Sequence, residues 1–153
     1  MEINYNAPVT YSAEKWIPVP LDIAWDVQTN IAEWSKWNTE ISRVQLNGPV
    51  APGTSFRWIA GGAPIISEIQ EVIPKQRITW TGRMLGIRAI HSWTFEKKDD
   101  GVLVKTEESF EGFMVKMMPY LFRKMLRKSL QRSLDALYNE CIRVNILRIS
   151  LLF

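Results

Sequence analysis

The sequence predicts a two-layer α+β domain, an antiparallel sheet of seven strands packed on one long C-terminal helix. Three observations predict it. From Ser42 to Gly112 short β-branched and aromatic segments alternate with turn residues. After Gly112 the apolar spacing changes to threes and fours. The 153 residues, 46% hydrophobic and 23% charged, suit one domain over 1–153, with its core at about 10–145.

Residues 10–17 alternate loosely and read as the first strand. Pro20 suits the first turn of a helix, and Leu21, Ala24, Trp25 and Gln28 share one face of it as far as Thr29. Asn30-Ile31-Ala32-Glu33 has the spacing of a capping box and starts a second short helix carrying Trp34 and Trp37. Turns at Asn47-Gly48, Pro52-Gly53, Gly61-Gly62, Pro74-Lys75, Leu85-Gly86 and Asp100-Gly101 then separate strands at 43–47, 54–60, 64–73, 76–83, 87–97 and 102–111. Met114, Met117, Met118, Leu121, Phe122, Met125, Leu126, Leu130, Leu134, Leu137 and Cys141 carry the helical period. Pro119 starts or kinks that helix, placed at 119–146 after a short turn. A sheet with one apolar face and one amphipathic helix must pack together.

Alternation sorts the last two strands. Ala89, His91, Trp93 and Phe95 share a face, as do Val102, Val104, Thr106, Glu108 and Phe110. If Asp99-Asp100 is the loop, His91 pairs with Glu108. If Asp100-Gly101 is the loop, His91 faces Phe110 and lies diagonal to Glu108. A three-residue bulged loop would break the pairing. An inward histidine and carboxylate need partners, because bare burial costs several kcal/mol. They are read as a polar spot in an apolar cavity, orienting a ligand or serving as catalytic acid and base. The plainer alternative is a mutually satisfied structural pair, or residues at a wet rim. Phe56 and Trp58 share a strand face opposite Arg57, Ile78 and Trp80 do likewise, and the methionines adapt to varied shapes. With the second helix's tryptophans, these side chains look too bulky for a thin core, which suggests a hollow.

The totals exclude several classes. One cysteine, Cys141, permits neither an internal disulfide nor a CxxC metal site, and with one histidine no metal or cofactor set is spaced out. MEINYNAPVT lacks a secretion-signal pattern and no apolar run reaches the ~18 residues of a membrane span, so the cytoplasm is the expected compartment. Residues 115–153 hold eight basic side chains against Asp135 and Glu140, a net +6 within a total of +3. That stripe reads as the solvated face of a helix. Nucleic-acid binding is disfavoured, since exposed aromatics are not interleaved with the cations.

The order of elements resembles the helix-grip fold of the START, birch-pollen-allergen and polyketide cyclase superfamily (SRPBCC), in particular its polyketide cyclase/dehydrase subgroup. The resemblance rests on Ile17-Pro-Val-Pro-Leu-Asp-Ile-Ala-Trp25, Ile31-Ala-Glu-Trp-Ser-Lys-Trp-Asn38 and Asn47-Gly-Pro-Val-Ala-Pro-Gly-Thr-Ser-Phe-Arg-Trp58. It continues through Arg77-Ile-Thr-Trp-Thr-Gly82, His91-Ser-Trp-Thr-Phe-Glu96 and Thr106-Glu-Glu-Ser-Phe-Glu-Gly112, covering about 10–145. It implies a pocket between sheet and last helix, opened by loops near the second helix. The candidate ligand-binding residues are Trp34, Trp37, Phe56, Trp58, Trp80, His91, Trp93, Glu108, Phe110, Met118, Phe122 and Met125. His91 and Glu108 are the candidate catalytic pair. The apolar end, Ile146–Phe153, departs from the pattern and either docks on a partner, as in a homodimer, or frays.

Three functions fit. The first is a binding protein for a hydrophobic small molecule such as a lipid, polyketide, quinone or aromatic compound. The second is an aromatase/cyclase-type enzyme using His91 and Glu108 in aldol closure and dehydration. The third is a partner-binding module like the superfamily's chaperone activators. A shared fold does not choose among them.

Overall fold

In the computed structural model, which describes residues 1–153, seven strands follow one another in a meander with one exception. The strands are β1 (Val9–Ile17), β2 (Ile41–Leu46), β3 (Ser55–Ala60), β4 (Ala63–Ile73), β5 (Arg77–Met84), β6 (Ile87–Lys98) and β7 (Gly101–Glu111). They form one antiparallel sheet in the order β1-β7-β6-β5-β4-β3-β2. The first two strands therefore lie at opposite edges. Helices α1 (Leu21–Thr29) and α2 (Trp34–Trp37), joined by a 3₁₀ turn at Ile31–Glu33, bridge that gap. A short α3 (Phe113–Met117) precedes the long α4 (Pro119–Ser150). The sheet, the long helix and the helical pair form the helix-grip fold.

The expected strands are all present. The tight β6–β7 turn is the Asp99-Asp100 alternative: Lys98 pairs Gly101 and His91 pairs Glu108. Asp99 takes the positive φ of 54° that such a two-residue turn demands. Two local expectations are corrected. Asn30 makes no side-chain cap, and its φ and ψ of −78° and 68° lie outside the usual capping geometry, so the Asn30–Glu33 spacing forms no capping box. The terminal helix also runs on to Ser150 rather than stopping near 146. Arg148 holds Asp22 of α1 at 3.0 Å, and the Ser150 hydroxyl donates to the Ile146 carbonyl. Most of the tail is thus helix.

Packing divides along α4. Leu134, Leu137 and Cys141 join Ile17, Trp25, Phe95 and Val104 in the larger cluster, whereas Phe122, Leu126 and Leu130 join Val9, Ile87 and Val115 in a smaller one. The outer sheet face is covered in part. The segment before β1 lies across it, burying Ile3, and the Asn4 N–H donates to Ser109 while the Thr79 hydroxyl donates to the Met1 carbonyl. This explains why Thr79, Ser92 and Ser109, facing away from α4, are nonetheless buried.

Candidate functional site

Between the two clusters the sheet and α4 do not close, leaving a cavity of ≈ 330 Å³. Its floor is the inward face of β3–β7, which carries small residues as well as large ones. Ala60 pairs Ala63, and Gly82 pairs Ala89, so two cross-strand pairs lining the cavity carry one side-chain carbon or none at each position. A Cβ on Gly82 would sit 3.4 Å from Ile65 Cγ2 and Ser67 Oγ. Trp58, Ile65, Trp80, Met84, Ile87 and Phe110 complete the sheet wall, and Phe122, Met125 and Leu126 of α4 close the roof.

Aromatic rings stiffen one end. Trp34, Phe56, Trp58 and Trp80 pack with centroids 5.3 to 6.0 Å apart, mostly edge-to-face. The Trp34 N–H donates to the Gln28 carbonyl at 2.8 Å, and the Trp58 N–H to Ser67 Oγ at 3.0 Å. These rings hold Trp58 and Trp80 in place as walls. They fill space rather than create it.

His91 and Glu108 bring an imidazole and a carboxyl to the inner face of the sheet. Thr106 Oγ1 lies 2.7 Å from His91 Nε2, while His91 Nδ1 approaches Glu108 Oε2 at only 3.5 Å. The imidazole is packed between Trp80 and Trp93, at 4.8 and 5.6 Å between centroids. Burial pushes the Glu108 carboxyl up to about 8 and the His91 imidazole down to about 3. At neutral pH both are uncharged, so their approach is a long contact between neutral groups rather than an ion pair. Glu108 lines the cavity with its side chain 14% exposed, and no protein hydrogen bond occupies its carboxyl.

Of the residues singled out from the sequence, the cavity brings together Trp58, Trp80, His91, Glu108, Phe110, Phe122 and Met125. The others lie elsewhere. Trp34 and Phe56 are buried behind the wall, Trp93 is buried beside His91 with its N–H unpartnered, and Met118 is on the surface. Trp37 borders a separate polar groove with Arg132, Asp135 and Arg143. Sequence reasoning missed the small residues and the charged rim, where Glu40, Arg83, Lys128 and Arg132 line the opening and Arg132 holds Glu40 at 3.3 Å. The inward Ala and Gly residues were the available signal. No three His, Cys, Asp or Glu side chains converge to hold a metal ion.

Comparison with solved structures places this architecture among known folds. The chain is similar to the hypothetical protein jhp0584 from Helicobacter pylori, at 20% identity and a TM-score of 0.78 over 90% of each chain. A START superfamily protein from Mycobacterium smegmatis matches at 11% identity and a TM-score of 0.76, covering 88% of this chain and 98% of that one. The di-domain ARO/CYC BexL from the BE-7585A biosynthetic pathway matches at 19% and 0.66, covering 89% of this chain and 50% of the longer one. No curated protein matches. Residues 8–138 match the family model described as polyketide cyclase / dehydrase and lipid transport. With that match spanning most of its length, the chain belongs to this family, within the SRPBCC superfamily.

Proposed function

We propose that the protein binds a hydrophobic small molecule in the cavity, with a carbonyl or hydroxyl oxygen of the ligand set against Glu108. One observation carries this reading: a carboxyl sits in an apolar chamber with no protein hydrogen bond. Polar groups in protein interiors are almost always hydrogen-bonded, and a carboxyl that is 14% exposed and lacks a protein partner takes one from solvent or from a ligand. A ligand oxygen would meet the need. Because burial keeps Glu108 protonated at neutral pH, it donates, which favours an acceptor such as a ketone or quinone oxygen. The cavity volume stands at the lower end of the ~300–1,000 Å³ usual for ligand sites, which favours a compact ligand.

Trp58 and Trp80 supply the assay. Aromatic ketones and quinones titrated into the protein should quench tryptophan fluorescence saturably, and native mass spectrometry should show a one-to-one adduct. If no apolar carbonyl compound binds, or if Glu108→Leu leaves affinity unchanged, the reading fails.

A cyclase reading has a specific point in its favour. In aldol closure the nucleophilic carbon loses a proton to solvent water and the accepting carbonyl oxygen gains one as the carbon–carbon bond forms, and a protonated Glu108 is suited to the second transfer. His91, held down to about 3, is a poor base at neutral pH and acts through its packing beside Glu108. On this reading Glu108→Gln removes turnover of a polyketone substrate while retaining its binding.

A further inference from the structure

Five of the eight basic residues of the C-terminal region lie unpaired on a solvated face that also carries exposed apolar side chains. From Phe113 to Leu134 the chain has no acidic residue, and Lys116, Arg123, Lys124, Arg127 and Lys128 are all exposed and enter no ion pair. Large apolar side chains project among them. Helix α3 gives the core a single residue, Val115, while Phe113, Met114 and Met117 face outward, Phe113 at 77% exposure. Tyr120 and Leu121 continue the patch onto α4, Tyr120 at 80%.

The β5–β6 turn adds to the same surface. A Cβ on Gly112 would lie 2.5 Å from the Gly86 carbonyl oxygen, so the turn abuts the start of α3. Leu85, at the turn's tip, is 81% exposed and takes a φ of 46°. A surface helix normally turns its polar side to water, and exposed apolar clusters of this kind mark interaction sites.

We propose that this face docks on an anionic lipid surface, with Phe113, Met117, Tyr120, Leu121 and Leu85 entering the headgroup boundary and the unpaired cations meeting lipid phosphates. The mixture selects the partner. Apolar side chains flanked by Lys and Arg suit an anionic bilayer interface. A nucleic-acid backbone would use the cations but leave Phe113, Met114 and Met117 in water. A second copy of the same face would set the two groups of unpaired cations against each other. Met125 and Lys128 belong both to this region and to the cavity lining, so the docked face borders the cavity. The proposal does not depend on what the cavity holds.

Sedimentation with vesicles tests it. The protein should pellet with phosphatidylcholine vesicles containing phosphatidylglycerol and stay in solution with phosphatidylcholine alone. Replacing Lys116 and Lys124 by Gln should weaken partitioning about fivefold for each charge removed, since one cation near such a surface contributes ~1 kcal/mol. Phe113→Gln with Met117→Gln should weaken it at unchanged melting temperature, because both side chains are exposed. Ile66→Gln, at another exposed apolar position, on β4, should have no effect. Ala89→Leu, which fills the cavity, should also leave vesicle binding intact, separating this result from any failure of the ligand reading. Equal partitioning onto neutral vesicles, or indifference to the Phe113 and Met117 changes, would overturn the proposal. So would tight binding of duplex DNA without vesicle binding.

Discussion

Glu108→Gln should abolish a loss of stability that the wild-type protein shows on going from pH 6.5 to pH 8. The carboxyl is ordinarily half-ionised at 4.5 and burial moves it to about 8, so between those values the folded state keeps a proton that the unfolded chain has released. Stability therefore falls as pH rises across that window. His91 acts in the opposite sense. Its ordinary value of 6.5 is lowered to about 3, so the unfolded chain holds the extra proton and stability rises with pH between 3 and 6.5. The two slopes offset between 4.5 and 6.5, leaving only the Glu108 slope above 6.5.

The magnitude follows from the remaining interval. From 6.5 to 8, at ~1.4 kcal/mol per unit, the upper bound is about 2 kcal/mol. For a chain of this length that corresponds to a fall in Tm of about 4–8 °C. Water entering the cavity would reduce it, so a fall of a few degrees is expected. Thermal melts by circular dichroism at half-unit pH steps provide the measurement. Glutamine keeps the shape and does not titrate, so its curve should be level over the same range. Parallel curves for the two proteins would refute the claim that Glu108 is neutral in the fold.

Other consequences are open to measurement. Thr106→Val keeps the side-chain shape but leaves His91 Nε2 without its 2.7 Å partner, and urea unfolding should show a loss of about 1–3 kcal/mol. A loss below the error of the fit would mean that the hydroxyl is not satisfying the ring. Cys141 is buried and its thiol pushed up to about 12, chiefly by burial and secondarily by Glu140, so Ellman's reagent should label it only after unfolding. Labelling within the mixing time would contradict that placement. Ala89→Leu should occupy the hollow, raising Tm while reducing affinity for apolar ketones at least tenfold. A lowered Tm would show that the space is closed to a larger side chain.

Fold and site were legible in the sequence to different degrees, for a physical reason. Strand alternation fixes which face a side chain takes, and the Asp99-Asp100 turn fixes register, so the pairing of His91 with Glu108 followed once that turn was chosen. Alternation does not fix depth. Phe56 and Trp58 share a face and both pack against Trp34, yet Phe56 is fully buried while Trp58 also borders open space. That difference is set by α1, α2 and α4, whose placement depends on contacts distant in sequence. Bulky aromatics pointed to a hollow, and Trp58 and Trp80 line it beside the small residues Ala60, Ala63, Gly82 and Ala89, whereas Trp34 and Phe56 pack behind that wall. The capping spacing at Asn30 misled because the turn there is 3₁₀ and tertiary packing sets its entry. The segment before β1 has no periodic signal, and its coverage of Thr79 and Ser109 appears only in the assembled sheet.

Folding alone does not account for Glu108. Ala60, Ala63, Gly82 and Ala89 forgo packing that larger apolar residues would supply, and the carboxyl occupies the resulting space at an energetic cost above pH 4.5. Thr106 serves His91, and His91 in turn comes no closer than 3.5 Å to the acid. A structural role would predict a partner within hydrogen-bond distance, as Trp34 and Trp58 both have. The unpartnered carboxyl faces the cavity, whereas the unpartnered Trp93 N–H is buried outside its lining, and a polar group left open toward a hollow is the pattern expected where a chain meets a molecule other than itself.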